Sequence, residues 1–408
     1  MRARSRSRVW GGTAAVVLGG LLAAGCGGGG KDTADPAGAR AGQAVSGGYP
    51  VTVTDCAGAR TTFTGPPRKI VTSNASALEL LLRLGAGDRV IGTGFPPGPG
   101  SLPAALDARA RKVPVLSDTV VPKEKLLGSG ADLYIDTFAS MGGMGGGGMG
   151  DAPTEEEFKA AGIRHIQLKS TACAARGRAP VTDLSAVEAD ITSLGAVTGT
   201  SARARELVAG MRAKVAAVRK AVAGAPRPTY FFFDYDAGTK QPTVVCNRQV
   251  ANAVITLAGA RNVFADCDGD HRQTGWEDVI ARDPDWIQLG VRDRGGAAAN
   301  ARAFDEAERW LRDNPATSGL KAVRAGHFVR VGSESTTIAG VGNADTVQAI
   351  ARAVHPDRTD ALRPGRASDQ AGPGRPGQAS PDRPGQVSGQ ADADRSAPAA
   401  AARPGRDG

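Results

Sequence analysis

The stretch RKIVTSNASALELLLRLGAGDRVIGTG, residues 68–94, contains the pattern that decides the fold. The apolar residues of KIVT are typical of a buried strand, and the polar residues Ser73, Asn74 and Ser76 stand where a helix begins. The leucine-rich run that follows is typical of a helix, and RVIGT is typical of a second short strand. This order of strand, turn, helix and strand predicts the repeating unit of a parallel α/β sheet.

The same pattern returns in the second half of the chain. NASALELLLRLGAGDRV (74–90) aligns without gaps on NRQVANAVITLAGARNV (247–263). A second pair, GADLYID (130–136) and PDWIQ (284–288), follows a short helix-like stretch in each half. The similarity reflects either an internal repeat or two unrelated α/β domains, and both interpretations predict two α/β lobes.

A long helix is predicted between the two halves. SARARELVAGMRAKVAAVRKAVAG (201–224) has apolar residues at helical spacing. A helix of that run is about 33 Å long, which is enough to cross from one lobe to the other. We therefore predict lobe 1 over residues 49–182, a stiff helical connection over 183–225, and lobe 2 over 226–358.

Residues 1–25 have the features of a secretory signal peptide. Four arginines precede the apolar run VVLGGLLAAG, which is too short for a comfortable membrane span. Ala24 and Gly25 before Cys26 resemble a bacterial lipoprotein processing site, although Ala23 stands where leucine is usual. We expect Cys26 to carry a lipid that anchors the chain to the outer face of the cell membrane, with simple secretion as the alternative.

Two flanking segments have compositions that predict no folded structure. Residues 26–48 are rich in Gly, Ala and Asp, which is typical of a flexible tether. Residues 359–408 repeat Arg-Pro-Gly and contain almost no large apolar side chain, so we predict a disordered tail.

Four collinear motifs resemble a known family. The stretch 68–94, GADLYIDT, GWEDVIARDPDWIQL (275–289) and residues 320–356 are similar to bacterial periplasmic solute-binding proteins of the helical-backbone class, or class III. Members of that class deliver ferric siderophores, haem or cobalamin to ABC importers. The resemblance implies two Rossmann-like α/β lobes joined by a single long helix, with the ligand in a shallow cleft between them.

The resemblance also implies partners, namely the permease and ATPase subunits of an ABC importer. Glu79 and Glu277 match the two exposed glutamates with which the family docks on arginines of the permease. Ordinary solvated surface charges are the alternative interpretation. We expect the protein to act as a monomer.

Candidate ligand contacts follow the predicted strands, because ligands of open α/β sheets lie beyond the carboxyl ends of the strands. We predict that the ligand contacts Ser73, Asn74, Ser76, Thr137, Phe138, Tyr235, Arg248, Trp276, Arg292, Arg294, Ser333 and Glu334. The first three residues are equally suited to capping a helix. The three arginines favour an anionic ligand that bears carboxylate, catecholate or hydroxamate groups, with surface salt bridges as the alternative for any single one.

The loop MGGMGGGGMG (141–150) follows the strand of GADLYIDT. It lacks the Lys-Ser/Thr ending of a phosphate-binding loop, and its three methionines have no nearby His or Cys for a Cu(I) site. We expect a mobile lip of the cleft, in which methionine offers an adaptable apolar contact.

Four cysteines remain besides Cys26. An even number in an exported chain favours disulfides, with buried free thiols as the alternative, and no spacing of a zinc site occurs. Cys246 ends a strand and Cys267 follows the next strand, so parallel neighbours can bring the two together. Since Cys56 and Cys173 both lie in lobe 1, we predict the pairs Cys56–Cys173 and Cys246–Cys267.

Several functional classes are excluded. The formal net charge of +9 includes the four signal arginines, and the other basic residues are dispersed, which argues against nucleic-acid binding. The four histidines are scattered and no nucleophile motif occurs, so we expect no enzyme and no cofactor or metal site.

We expect the ligand to be a ferric siderophore. Haem or cobalamin is the first alternative, and the aromatic content of 4% disfavours a broad macrocycle, although Trp276, Phe138 and Tyr235 can line one wall. A non-transport envelope scaffold is the second alternative.

Overall fold

The computed structural model describes residues 48–55, 58–98, 101–137, 152–174 and 177–362, all of which belong to the unit Gly47–Gly408. Several predictions concern residues outside these ranges: the signal peptide, Cys26 and nearly all of the tether, Cys56, Phe138, the Gly-Met loop, and the tail beyond Leu362.

Lobe 1 is built on a parallel sheet of four strands. An antiparallel hairpin, β1 (Val51–Thr54) and β2 (Arg60–Phe63), precedes it. The sheet strands are β3 (Ile70–Thr72), β4 (Val90–Thr93), β5 (Leu133–Asp136) and β6 (Arg164–Gln167), in the order β4-β3-β5-β6. The helices are α1 (Ala75–Leu84), α2 (Ala104–Ala110), α3 (Lys123–Leu127), α4 (Glu155–Ala160) and α5 (Ser185–Val197).

The centre of this sheet is apolar on both faces. Ile70 and Val71 of β3 are fully buried, as a central parallel strand requires when helices cover both faces of its sheet. Helix α1 begins directly afterwards at Asn74, whose side chain accepts a hydrogen bond from the Ala77 N–H (3.1 Å). It ends at Gly85, which has the left-handed φ of 82° that favours glycine.

Helix α6 (Ser201–Ala221) is the predicted bridge and extends over 21 residues. The predicted connection 183–225 also contains α5, because the chain turns at residues 198–200 and α6 packs against α5. Val208, Met211 and Val218 of α6 belong to an apolar core that includes Ile70 of lobe 1 and Phe232 of lobe 2. This continuous core joins the two lobes through the bridging helix.

Lobe 2 contains a second parallel sheet of four strands. The strands of the lobe are β7 (Thr229–Asp234), β8 (Thr243–Val245), β9 (Arg261–Asn262), β10 (His271–Gln273), β11 (Trp286–Gly290) and β12 (Phe328–Val329). The parallel sheet has the order β12-β11-β7-β9, and β8 pairs with β10 in a separate antiparallel ladder. The helices are α7 (Val250–Leu257), α8 (Trp276–Arg282), α9 (Ala297–Asp313), α10 (Lys321–Ala325), α11 (Ser333–Thr337) and α12 (Asn343–Val354).

The prediction of two similar α/β lobes is confirmed. Helices α1 and α7 end at Leu84 and Leu257, the residues that the ungapped alignment places together. Strands β5 and β11 hold the same place in their sheets, as the second sequence pair predicts. The lobes differ before the first helix: β3 lies within the parallel sheet, whereas β8 lies outside it.

The disulfide Cys246–Cys267 is confirmed, with Cα atoms 5.1 Å apart. The predicted reason was wrong, because β8 is not a parallel neighbour of β9. The chain instead folds back, so that the Cys246 N–H donates to the Asp270 carbonyl (2.9 Å) and the Asn247 N–H to the Cys267 carbonyl (3.1 Å). Cys173 is also disulfide-bonded, and its predicted partner Cys56 lies outside the described residues.

The described fold continues past the predicted start of the tail. Thr359 is 1% exposed, and Asp360–Leu362 form a 3-10 turn whose Leu362 carbonyl accepts a hydrogen bond from Arg352 (3.2 Å). Across the described ranges, no helix is long and apolar enough to span a membrane.

Candidate functional site

The carboxyl ends of both parallel sheets meet at a cleft between the lobes. The loop after β4 approaches the loop after β11, since a Cβ atom on Gly98 would lie 3.4 Å from Asp293 Oδ2. Two further contacts join the lobes: Ser76 Oγ donates to the Ala339 carbonyl (2.6 Å), and the Val181 N–H donates to the Asn247 carbonyl (2.8 Å). This arrangement is the ligand position expected for open α/β sheets.

Close backbone packing shapes the strand ends on both sides of the cleft. A Cβ atom on Gly94, directly after β4, would lie 2.9 Å from the Ser73 carbonyl oxygen. One on Gly290, at the end of β11, would lie 2.7 Å from the Phe233 carbonyl oxygen. Only glycine permits these approaches, so the two positions hold neighbouring strand ends close together.

The predicted contacts of lobe 1 are engaged within the protein. Ser73 Oγ and Thr137 Oγ1 lie 2.8 Å apart, and the Thr137 N–H donates to Ser73 Oγ (3.0 Å), so these buried residues tie β3 to β5. Asn74 caps α1, which confirms the capping interpretation for that residue. Ser76 belongs to the contact between the lobes. The side chains of Ser73, Asn74, Ser76 and Thr137 are therefore engaged in hydrogen bonds within the protein.

Phe95 is a candidate contact that the sequence reasoning missed. It lies two residues after the end of β4, is half-buried, and has a φ of 34°. A non-glycine residue in that region costs about 1–3 kcal/mol, so its surroundings must hold it there. The Phe95 N–H donates to the Thr119 carbonyl (3.2 Å), and its carbonyl accepts from the Ala75 N–H (2.9 Å). The signal available in the sequence was an aromatic residue and two prolines directly after RVIGT.

The lobe 2 wall has a group of charged side chains after β7, β11 and β12. We call this group the lobe 2 charge cluster, and its members are Asp234, Asp236, Arg292, Asp293, Arg294 and Glu334. Asp236 accepts hydrogen bonds from the Arg292 N–H (2.6 Å) and from the Arg294 guanidinium (2.5 Å). The Asp293 N–H donates to Glu334 (3.3 Å), so the cluster is linked across strand ends.

Burial raises the pKa of two carboxyl groups in this cluster. It raises the pKa of Asp234, against which the Arg292 charge and a hydrogen bond from Ser333 (3.4 Å) act in the opposite direction. It also raises the pKa of Glu334, where backbone hydrogen bonds and Arg292 oppose it and Asp293 adds to it. Arg292 is thus the cation whose charge lowers the pKa of both half-buried carboxyl groups.

The three predicted arginines differ in their availability. Arg248 donates to the Gly177 carbonyl and lies 3.5 Å from Asp268, so it joins the lobes beside the disulfide. Arg294 is paired with Asp236. Within the described residues, the Arg292 guanidinium has no hydrogen-bonding partner, and Arg292 is exposed. Salt bridging, the alternative interpretation, therefore applies to Arg248 and Arg294, and Arg292 remains the best candidate for a ligand.

The two aromatic candidates of lobe 2 occupy different places. Trp276 is 8% exposed, its Nε1–H donates to the Thr239 carbonyl (2.8 Å), and its ring lies 5.3 Å from those of Phe233 and Trp310. These contacts place it in the lobe 2 core and do not support the predicted position on the cleft wall. Tyr235 follows β7 and is half-buried beside Phe233, where burial raises the pKa of its phenol.

The two predicted docking glutamates lie on helices of different lobes. Glu79 on α1 forms an ion pair with Arg83 (2.6 Å), and its side chain is 21% exposed. Glu277 lies in the first turn of α8 and is exposed, and its carboxylate folds back over the backbone of Gly275. An interaction with a permease stays a prediction for both residues.

Comparison with known proteins identifies the family. The model of the periplasmic binding protein family matches residues 70–335. A cobalamin-binding protein of Halobacterium salinarum is 27% identical over 289 residues, which is 69% of each chain. An uncharacterized ABC transporter substrate-binding lipoprotein of Bacillus subtilis is 23% identical over 362 residues, or 87% of this chain and 98% of that one.

Solved structures have the same fold. A periplasmic binding protein from Veillonella parvula is 26% identical, with a TM-score of 0.64 over 76% of this chain and 99% of that one. An ABC-type Fe3+-hydroxamate transport system protein from Saccharomonospora viridis is 25% identical, with a TM-score of 0.61 over 76% of this chain and 100% of that one. The two lobes, the bridging helix and these matches agree: the chain belongs to the periplasmic binding protein family, with the class III fold, and is a transport substrate-binding protein rather than an enzyme.

Proposed function

We propose that this substrate-binding protein captures a ferric siderophore outside the cell membrane and delivers it to the permease of an ABC importer. It is the substrate-binding component of an importer of the class that serves cobalamin, siderophores and haem. The observation that carries the proposal is the lobe 2 charge cluster at the cleft, because polar and charged groups suit a hydrophilic chelate better than an apolar macrocycle.

Similarity supports the same ligand class. The structure from Saccharomonospora viridis is titled a Fe3+-hydroxamate transport system, and at 25% identity its fold covers 76% of this chain. Phe95 on lobe 1 is a half-buried aromatic residue two positions after β4, and an aromatic contact from one lobe together with polar contacts from the other can hold a chelate.

Cobalamin is a second candidate, favoured by one specific observation. The relative from Halobacterium salinarum is named a cobalamin-binding protein and is 27% identical over 69% of this chain. Cobalamin carries many amide groups, which can donate to the carboxylates of lobe 2. The scaffold alternative has no such support, because the family consists of transport proteins.

Ligand titration of the full mature chain tests the proposal. Isothermal calorimetry with ferric trihydroxamates, ferric tris-catecholates, cyanocobalamin and haemin should give saturable binding at micromolar or lower concentration for a ferric siderophore. Phe95→Ala should weaken that binding at least tenfold, whereas Val115→Ala, at a residue 49% exposed, is the matched control and should not. Saturation by cyanocobalamin alone would replace the proposal with the second candidate, and no binding by a folded protein would refute both.

Delivery requires anchoring and docking, which we propose for Cys26 and for the pair Glu79 and Glu277. Cys26→Ser should release the protein from the membrane fraction while ligand binding is unchanged. The double variant Glu79→Ala/Glu277→Ala should bind ligand normally and lose ligand uptake into cells. Glu156→Ala, at an exposed glutamate of α4, is the control for surface charge. Normal uptake by the double variant would exclude the docking role.

A further inference from the structure

The lobe 2 charge cluster contains more acidic than basic groups. Four carboxyl groups, those of Asp234, Asp236, Asp293 and Glu334, accompany the two guanidinium groups of Arg292 and Arg294. Both oxygens of Asp236 are used, one by the Arg292 backbone and one by the Arg294 side chain. Arg294 is paired with Asp236, and the carboxyl groups of Asp234, Asp293 and Glu334 outnumber the remaining guanidinium group of Arg292.

One oxygen in the cluster lacks a hydrogen-bond donor. Asp293 Oδ1 accepts from the Asn300 side chain (2.7 Å) and the Gly295 N–H (3.1 Å). Asp293 Oδ2 is buried, and among the described residues it has no hydrogen-bonding partner. It lies against Gly98 of lobe 1, on which a Cβ atom would be 3.4 Å away. A donor or a positive charge on a bound ligand would satisfy this oxygen.

The lobe 1 segment that contacts Asp293 adds no charge to the cluster. The described segment of lobe 1 that faces Asp293, residues 94–98, is Gly-Phe-Pro-Pro-Gly and contains no charged side chain. Ser73 and Thr137 beside it are neutral and bonded to each other. In the described residues, no group of three or more His, Cys, Asp or Glu side chains is arranged to hold a bare metal ion. Within this cluster, the Arg292 guanidinium is therefore the cation that is left to attract an anionic ligand.

From these contacts, and resting on the proposed function, we infer that the cleft selects a neutral or cationic ferric chelate and disfavours a highly anionic one. A ferric ion bound by three hydroxamate groups is neutral, and a free terminal amine makes the complex cationic. A ferric ion bound by three catecholate groups carries three negative charges, and among the described residues of the cluster the Arg292 guanidinium alone is unpaired to attract them. The anionic ligand expected from the three arginines is thus disfavoured, because their charges are engaged or outnumbered.

Three chelates of different charge test the inference on the full mature chain. Ferrioxamine B carries a free ammonium group, its N-acetylated derivative is neutral, and ferric enterobactin is a tris-catecholate trianion. We expect the two trihydroxamates to bind, the cation about tenfold more tightly than the neutral derivative, and the trianion at least about a hundredfold more weakly than either. The preference for the cation should fall as salt concentration rises.

Two conservative variants assign the preference to named residues. Asp293→Asn and Glu334→Gln should each reduce the ratio of cation to neutral affinity by about fivefold to tenfold. Glu156→Gln, at an exposed residue of lobe 1, should leave the ratio unchanged. If Asp293→Asn fails to fold, Glu334→Gln and the salt dependence still decide the outcome.

The possible outcomes separate this inference from the proposed function. Tight binding of ferric enterobactin would overturn the charge preference and leave the siderophore function intact. An unchanged affinity ratio in both folded variants would overturn the role of Asp293 and Glu334. Binding of no ferric chelate would refute the siderophore function itself, and the inference with it.

Discussion

Lobe 1 and lobe 2 repeat one topology and present different chemistry at the same place. In both lobes the chain runs from a central strand through a helix to an edge strand, and then to a second central strand and a last edge strand. Across the sheets, the strand orders are β4-β3-β5-β6 and β9-β7-β11-β12. At the strand ends of lobe 1, Ser73 and Thr137 satisfy each other. At those of lobe 2, charged residues accumulate around Arg292. The shared topology determines where a ligand binds, and the side chains determine which ligand it is.

The lobes also differ in how the first helix is reached. Lobe 1 passes directly from β3 to α1, whereas lobe 2 inserts β8, which pairs with β10 and precedes the disulfide Cys246–Cys267. Helix α1 is capped by Asn74 and helix α7 by Gln249, which also donates to the Thr337 carbonyl (2.7 Å). Lobe 2 therefore depends on more contacts between distant residues than lobe 1 does.

The largest expected effect tests whether the matched helices are equivalent. Leu84 and Leu257 occupy aligned positions and are 1% and 7% exposed. Leu84→Ala and Leu257→Ala should each lower the free energy of unfolding by about 2–5 kcal/mol, through lost apolar contact and the cavity left behind. Urea unfolding measures the loss, with Val115→Ala as an exposed control. A loss of stability below about 1 kcal/mol at only one of the two positions would show that the aligned leucines are not equivalent.

The next effect concerns the disulfide of lobe 2. Replacing Cys246 and Cys267 together by alanine should lower the free energy of unfolding by about 3 kcal/mol, because the bond closes a loop across a separation of 21 residues. Thermal unfolding of the double variant under non-reducing conditions provides the measurement. A melting temperature equal to that of the wild-type protein would show that the hydrogen bonds of Cys246 and Asn247 hold this segment without the bond.

The helix caps give a smaller effect that sharpens the comparison. Asn74→Ala should cost about 1 kcal/mol of stability, since it removes one cap hydrogen bond. Gln249→Ala should cost about 2 kcal/mol, since Gln249 both caps α7 and bonds to Thr337. Denaturant titration of the two variants measures the difference. Equal losses would mean that the bond to Thr337 contributes nothing net.

The smallest effect is confined to lobe 1 and depends on pH. His165 of β6 packs against both Tyr134 and Phe158, with Nδ1 2.7 Å from Glu155 and Nε2 3.5 Å from Asp136. Burial alone lowers the pKa of His165, but the interactions with the carboxylates of Asp136 and Glu155 outweigh it and raise the pKa. The native state therefore binds the proton more tightly than the unfolded chain does.

The sign of the pH dependence follows from this raised pKa. The stabilisation is complete below about pH 6.5, the ordinary value, and is lost as pH rises through the higher pKa of the folded state. Since Glu155 is exposed, we expect no more than about 0.2–1 kcal/mol. His165→Phe should flatten the stability curve in that pH range when unfolding is measured by urea titration. If the variant retains the wild-type slope, the pH dependence of stability comes from other groups.

Much of the fold was predictable because its signals are local. The alternation of apolar strand and leucine-rich helix in residues 68–94 is repeated in the second half, and the apolar spacing of 201–224 matches the bridging helix α6. The pairing of Cys246 with Cys267 was predicted correctly and for the wrong reason, because the antiparallel ladder of β8 with β10 joins residues that periodicity cannot relate.

The candidate site was only partly predictable. Trp276, a predicted ligand contact, packs into the lobe 2 core, and Phe95 was not among the predicted contacts. The roles of the other predicted contacts stay predictions. The sequence shows which charged residues follow a strand, but it does not show which of them form ion pairs. The ion pair of Arg294 with Asp236, across 58 residues of sequence, illustrates why counting arginines alone suggested an anionic ligand.

The amino-acid sequence by itself determined the two parallel α/β lobes, the helix between them and the family, because hydrophobic periodicity and short motifs act within a few neighbouring residues. The tertiary structure alone decided which polar groups of the cleft remain available. Hydrogen bonding satisfies most buried polar groups, and the partners of Asp236, Asp293 and Glu334 come from different strand ends. The charged groups that a ligand can contact are therefore those that such long-range pairs leave free. Only the folded chain defines these pairs.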